Sequence, residues 1–190
     1  MGKRLMIIAC LMSYSSIAQK EVYIRAGLLN SALTYSPSLM LNRSESNYYV
    51  TGFLQGRLDK HLSFRGETHY LAGSSVKHSY FKLSSRTFFG LQYGVSKGNL
   101  DTYIGFMPGF TIAQVHRDFN EKGKNPVHFA PSFSANIGTT YYIWKVFNVF
   151  ANVTYVHSTI RGMSTAINGR SDELMISAGL GFNVNAVRAK

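Results

Sequence analysis

From Leu174 to Val184 the side chains alternate. Leu174, Ile176, Ala178, Leu180, Phe182 and Val184 form one set, and Met175, Ser177, Gly179, Gly181 and Asn183 the other. Period-two alternation marks a β-strand lying between two different surroundings, because successive side chains point to opposite faces. The same pattern recurs along the chain and predicts eight strands, over 22–34, 47–58, 62–72, 80–95, 100–113, 129–142, 147–160 and 172–185. In the third, Leu62, Phe64, Gly66, Thr68 and Tyr70 oppose Ser63, Arg65, Glu67 and His69. In the fifth, Leu100, Ile104, Phe106, Pro108, Phe110 and Ile112 oppose Asp101, Tyr103, Gly105, Gly109 and Thr111. The sixth sets Phe129, Phe133, Ala135, Ile137 and Tyr141 against Ser132, Ser134, Asn136, Gly138 and Thr140. No helical period interrupts the series, and no linker composition marks a second domain.

Connections between these segments alternate as well. Leu58 to His61, Ser96 to Asn99 and Ile143 to Val146 read as tight hairpins. The stretches SPSLMLNRSES, Gly73 to Ser79, HRDFNEKGKNPV and RGMSTAINGRS read as longer polar loops. Strict alternation puts every tight turn at one end of an up-and-down barrel and every long loop at the other. The less greasy faces are built from Gly, Ser, Thr and Asn, with an occasional Arg or Glu, rather than from the Lys and Glu of solvated strands. Such small residues suit the inside of an eight-stranded barrel, which side chains can fill. Tyr48, Phe64, Tyr93, Tyr141, Tyr142, Trp144 and Tyr155 fall near strand ends, where a membrane barrel carries its aromatic girdles. The pattern therefore predicts an all-β fold, an eight-stranded antiparallel up-and-down transmembrane β-barrel with its greasy faces outward. A soluble exported lipocalin-like binding barrel, greasy face inward, is the alternative.

The opening residues MGKRLMIIACLMSYSSIAQ combine Lys3 and Arg4, an apolar run from Leu5 to Met12 and a small-residue site at Ser16-Ile17-Ala18. They predict a secretory signal peptide over 1–18, leaving the barrel domain over 19–190. The apolar run is shorter than the roughly 20 residues a spanning helix needs. Cleavage removes Cys10, the single cysteine of the chain; the competing reading makes Ile7-Ile8-Ala9-Cys10 a lipoprotein box with Cys10 acylated. The formal charge of +11 falls to about +9 when Lys3 and Arg4 leave with the signal. In a cytoplasmic protein that balance would suggest nucleic acid. Export points instead to solvated loops facing anionic lipopolysaccharide, with Arg43, Arg117, Lys122, Lys124 and Arg170 as loop cations, and no nucleic-acid partner is expected.

The segment Ser177-Ala178-Gly179-Leu180-Gly181-Phe182-Asn183-Val184 is similar to the signal that barrel-assembly machinery reads in a last strand, carried here by Ser177, Gly179, Phe182 and Val184. With the eight-strand pattern, the chain resembles the small single-domain outer-membrane β-barrels of the OmpA/OmpX-like family, of the porin-family type common in Bacteroidota. The resemblance implies export by a cleaved signal to the outer membrane of a Gram-negative bacterium and insertion by the barrel-assembly machinery. It implies contact with outer-membrane lipid and lipopolysaccharide, an envelope protein as a further partner, and no cofactor. The chain departs from the pattern by continuing through Asn185 to Lys190 instead of ending on an aromatic residue, and nothing corresponds to the peptidoglycan-binding domain of OmpA-type proteins.

Strand parity turns Arg57, Arg65, Glu67 and Arg86 inward as a lumen charge network that plugs and rigidifies the barrel; a gated ion path is the alternative. Val156-His157-Ser158-Thr159, followed by Glu173, faintly resembles the late-strand His, Ser and Glu of PagL-type lipid A deacylases. His157 and Thr159 share a face, as a base and its nucleophile must, but Ser158 points the other way and Glu173 has lumen parity. His61, His69, His78, His116, His128 and His157 lack the close spacing of a metal site. The glycines around 105–109 and 179–181 have no strand-to-helix context for phosphate and read as barrel-interior positions. The expectation is a non-catalytic barrel with a structural or interaction role, as an accessory subunit of an envelope complex.

Overall fold

Alternation of bulky apolar with small polar residues favours extended backbone, and each strand needs a neighbour on both edges to satisfy its N–H and C=O groups. A computed structural model, which describes residues 28–116, 127–160 and 169–185, meets that requirement by closing the sheet on itself. The strands are β1 (Leu28–Met40), β2 (Glu45–Arg57), β3 (Leu62–Ser74), β4 (Phe81–Lys97), β5 (Leu100–Val115), β6 (Val127–Tyr142), β7 (Phe147–Thr159) and β8 (Arg170–Asn185). Each pairs antiparallel with the next, and β8 returns to β1. At 13 to 17 residues, the strands exceed the roughly 9–11 tilted residues that cross a bilayer.

The greasy faces point outward. Ile104 is 60% exposed and Leu180 60%, whereas Met107 and Met175 on the opposite faces are sealed. The outward rows of β5 to β7 hold no charged side chain until His157 near the end of β7. Such a wall has no place in water and matches hydrocarbon. The lipocalin-like alternative is thereby excluded, since it needs the greasy set inside. Aromatics mark both ends of the wall. Trp144, Phe147 and Phe182 cluster at the tight-turn end, with ring centres 6.0 and 5.3 Å apart. Tyr35 stacks on Tyr48 and Phe110 on Phe129 toward the other end. Tyr142, expected in the girdle, is instead buried and inward-facing, because β6 parity puts Tyr141 out and the next residue in.

β1 departs most from expectation. It ends at Met40 rather than near 34, and the connection to β2 shrinks to residues 41–44, as short as the hairpins at the opposite end. Ser36-Pro37-Ser38 reads locally as a turn, but both serines take inward positions with lumen partners: Ser36 bonds Ser177 at 2.7 Å and Ser38 donates to Glu173 at 2.9 Å. Pro37 lies in the stretch between the two paired segments of the β1–β8 seam, where a missing N–H breaks no ladder bond. The hairpin between β4 and β5 turns on Gly98, whose φ of 58° is left-handed and suits glycine. The predicted signal over 1–18, Cys10, Arg117, Lys122 and Lys124 lie outside the described residues.

Candidate functional site

Inward parity delivers polar and apolar groups to the lumen in alternation, and they stack into a filled interior. At the tight-turn end Arg57 of β2 reaches across to Asp101 of β5, both buried, and donates also to Ser96 at 3.0 Å. Next comes an apolar layer of Ala32, Phe53 and Phe150, with Phe53 edge-on to Phe150 at 5.0 Å. The Arg65 guanidinium lies 3.7 Å over the Phe53 ring and donates to Glu67 at 2.9 Å, whose other oxygen meets His69 at 3.3 Å. Thr51 bonds the far nitrogen of His69 at 2.8 Å. A second apolar layer, Tyr49, Phe88, Met107, Val156 and Met175, surrounds the next ion pair. There Arg86 of β4 donates to Glu173 of β8 at 2.5 Å, and Tyr49 and Ser38 donate to the same carboxylate at 3.3 and 2.9 Å. Met40, Tyr80, Phe81, Ala113, Val115, Ala130 and Ile160 close the long-loop end.

Arg57, Arg65, Glu67 and Arg86 are thus all inside, but they do not meet as one network. They belong to three separate groups, and Glu67 serves Arg65 alone among the arginines. Two of the pairs are chords across the barrel, β2 to β5 and β4 to β8. Strand parity could place their carboxylates inward but could not choose which arginine each one faces. Glycines make room for the side chains: a Cβ on Gly138 would sit 2.6 Å from the Tyr103 hydroxyl, and one on Gly105 2.7 Å from Asn136 Oδ1.

In the last strand, Ser177 faces inward against Ser36, and Gly179 faces inward with Thr34 and Phe150 over it. Phe182 and Val184 face outward, Phe182 against the Phe147 ring. The loop cations that can be described are already engaged: Arg43 lies 4.0 Å over the Tyr80 ring and Arg170 holds Asp172 at 2.5 Å.

The outer wall carries its own polar group at the long-loop end of β7 and β8. His157 has outward parity, as expected, and its register partner is Asp172, not Glu173. His157 Nδ1 lies 2.5 Å from Asp172 Oδ1. A carboxylate can only accept, so Nδ1 is the donor in this contact. Nε2 faces the Thr159 hydroxyl at 3.4 Å. Tyr155 donates to Asp172 at 3.0 Å and Arg170 Nε to its second oxygen at 2.5 Å. Asn42, from the turn between β1 and β2, donates to the Arg170 carbonyl at 2.6 Å and accepts from the Asp172 N–H at 3.3 Å. Phe133 covers one side of the imidazole at a ring distance of 5.0 Å. The His157 side chain remains 25% exposed and that of Asp172 9%. Sequence reasoning found His157 and Thr159 but missed Asp172, although it shares the outward parity of Leu174 and Ile176. Among the described residues no group of three or more His, Cys, Asp or Glu side chains is arranged to hold a metal ion.

No family model and no curated protein matches the chain. Solved structures do match in fold. The chain is similar to neisserial surface protein A, at 12% identity and a TM-score of 0.57 over 82% of this chain and 95% of that one. It is similar to the N-terminal β-barrel domain of Pseudomonas aeruginosa OprF, at 12% identity and a TM-score of 0.56 over 84% and 98%. It is also similar to the attachment invasion locus protein Ail of Yersinia pestis, at 11% identity and a TM-score of 0.54 over 84% and 99%. The fold is that of the small eight-stranded transmembrane barrels.

Proposed function

We propose that this chain is an outer-membrane barrel of a Gram-negative envelope with a structural and interaction role, an accessory subunit that presents its wall and loops to other envelope components. One observation carries the reading: the interior is filled by two cross-lumen ion pairs and by apolar layers between them, while the outward face is apolar. A barrel filled in this way holds its shape, and any interaction with other molecules is left to the outside. The OmpA/OmpX-like, Bacteroidota-type resemblance and the leader pattern support export and outer-membrane placement. The final strand supports insertion by the barrel-assembly machinery through Ser177, Gly179, Phe182 and Val184. Lipopolysaccharide is the expected anionic neighbour of the loop cations, an envelope protein is the expected partner, and no cofactor is required.

Fractionation of the host envelope, detergent extraction and mass spectrometry of copurifying proteins test this. The expected result is recovery in the outer-membrane fraction with a stoichiometric partner. Recovery in a soluble fraction would overturn the placement, and a protein purified alone under mild extraction would overturn the accessory role. In planar bilayers the full chain is expected to give no reproducible conductance; steady single-channel steps would show that the lumen opens after all.

A further inference from the structure

The outward face of β1 to β3 combines three features. A hollow of about 630 Å³ lies over β2 and β3, where Gly52, Gly56 and Gly66 put no side chain over the backbone and Leu54, Phe64 and Phe89 stand around it. Beside it rises Leu33, 74% exposed, the most exposed large apolar side chain among the described residues. At the edge of the hollow, Thr68 and Thr87 bond each other through exposed hydroxyls at 3.2 Å. Only one proton lies between the two oxygens, so the pair keeps a second donor for a group outside the barrel. On the other side of Leu33 the β1–β8 ladder is interrupted across 32–37, and there Thr34 Oγ1 donates to the Ala178 carbonyl at 2.8 Å. Lipid tails answer neither a spare hydroxyl donor nor a broken ladder. The wall over β4 to β8 has a hollow too, of about 660 Å³, but the β5–β6 and β6–β7 ladders beneath it are continuous.

We propose that this face is a self-complementary interface that pairs the barrel with a second copy of itself in the membrane. The inference rests on the membrane placement of the wall and not on the accessory role. Two copies inserted the same way are related, in a symmetric dimer, by a two-fold axis along the membrane normal, which joins points of equal depth. Depth follows from the register. Partners followed once round the barrel lead from Leu29 to Leu39, a climb of ten residues over eight strands. The residue at equal depth two strands away therefore lies about two to three positions nearer the tight turns than the register partner. Leu33 pairs through Gly52 with Thr68, so the residue of β3 at its depth is Gly66. Tyr35 pairs through Val50 with Tyr70, so the residue of β3 at its depth is Thr68. With β2 on the axis, β1 of one copy faces β3 of the other. Leu33 then enters the hollow over Gly66, and the Tyr35 hydroxyl, its ring steadied on Tyr48, meets the Thr68–Thr87 pair. Gly52, beside the axis, lets the two β2 strands approach closely. Knob and hollow, acceptor and spare donor thus come from one surface, as a two-fold contact requires.

The test uses the full chain carrying Cys10→Ser, refolded and reconstituted in vesicles of phosphatidylethanolamine and phosphatidylglycerol over a range of protein-to-lipid ratios. Energy transfer between donor- and acceptor-labelled copies is expected to rise to the plateau of a dimer. On oxidation, Leu54→Cys, beside the axis, is expected to form an intermolecular disulfide, and Ile137→Cys, on the opposite wall, to stay reduced. Leu33→Ala removes the knob and Gly52→Leu fills the hollow, and each is expected to raise the dimer dissociation constant at least about tenfold. Both positions are open in the single barrel: Leu33 is exposed, and a Cβ on Gly52 meets nothing nearer than Leu33 Cδ1 at 3.6 Å. Their unfolding midpoints are therefore expected to stay near the parent's. Monomers at every ratio, equal disulfide yields at Leu54→Cys and Ile137→Cys, or a dissociation constant unmoved by both packing variants would overturn the interface. Capture of a different protein by Leu54→Cys in the host envelope, in place of a second copy, would overturn the choice of occupant. Failure to float with the vesicles would overturn the membrane placement, a result distinct from an inserted monomer.

Discussion

Asp172 and Glu173 are consecutive on β8, yet their carboxylates face opposite sides of the barrel wall. Glu173 is sealed in the lumen, where Arg86, Tyr49 and Ser38 use both of its oxygens. Asp172 faces out near the long-loop end, where His157, Tyr155 and Arg170 reach it and the imidazole stays partly open. Both are satisfied acceptors, so hydrogen bonding does not distinguish them. Access does. Glu173 is closed off by a guanidinium and the surrounding apolar layer, whereas Asp172 holds an imidazole that stays partly open. A single step of strand parity separates a group sealed in the lumen from one on the outer wall.

The sharpest way to break this comparison is to remove one member of the inner pair. Glu173→Ala leaves Arg86 as an unpaired charge in the lumen, at a cost of about 3–5 kcal/mol. We expect a large drop in the urea midpoint for unfolding from lipid vesicles, and recovery of most of it in the double variant Arg86→Met/Glu173→Met. Asp172→Ala is expected to shift that midpoint far less, because its partners can turn to water. Equal losses in the two single variants would erase the distinction between the faces.

A charge placed on the wall probes the same contrast from outside. Ile137 is exposed and lies midway between Phe133 and Tyr141 on β6. Ile137→Arg is expected to destabilise the barrel in vesicles by about 2–4 kcal/mol, the range for a cation at the bilayer midplane. The same change on a water-facing strand would be nearly silent. An unchanged unfolding midpoint would therefore place this face in water.

Somewhat smaller is the effect expected from crowding the lumen. Gly138→Ala puts a methyl group 2.6 Å from the Tyr103 hydroxyl and 2.8 Å from the Ala151 carbonyl, and the backbone atom cannot yield. Overpacking of this kind costs about 1–3 kcal/mol. Ala151→Gly, on the outward face of the adjoining strand, is the control expected to stay near the parent. Equal stability in Gly138→Ala and the parent would mean that the interior is looser than its packing indicates.

What could be read beforehand follows the range of the physics involved. Inside-outside alternation is local, and the sets built on Leu62, Leu100, Phe129 and Leu174 all fall on the expected faces. Pairings that cross the lumen are not local. Arg57 meets Asp101 and Arg86 meets Glu173 only because barrel closure and strand stagger bring β2 over β5 and β4 over β8. His157 was set beside Glu173 as a sequence likeness, but the β7–β8 register pairs it with Asp172. No short-range signal encodes that register. β1 was displaced because Ser36-Pro37-Ser38 has turn chemistry, and only its lumen partners reveal a strand.

A third carboxylate completes the comparison, because it stands in water beyond both surfaces. Asp59 caps the turn between β2 and β3, accepting from the His61 N–H at 2.6 Å and the Leu62 N–H at 2.7 Å. Those two backbone donors hold its carboxyl below the ordinary value of 3.8. A carboxylate with a lowered folded value contributes stability that is fully present above the unfolded value and disappears as pH falls through the folded one. The amide proton shifts of His61 and Leu62 should therefore move together on acidification, with a midpoint below 3.8, and Asp59→Ala should abolish the transition. The exposed turn should loosen while the ladders on either side stay paired, since no strand hydrogen bond depends on this side chain. A midpoint at or above the ordinary carboxylate value would mean that the two amides do not hold the charge, and that the turn is set by its backbone alone.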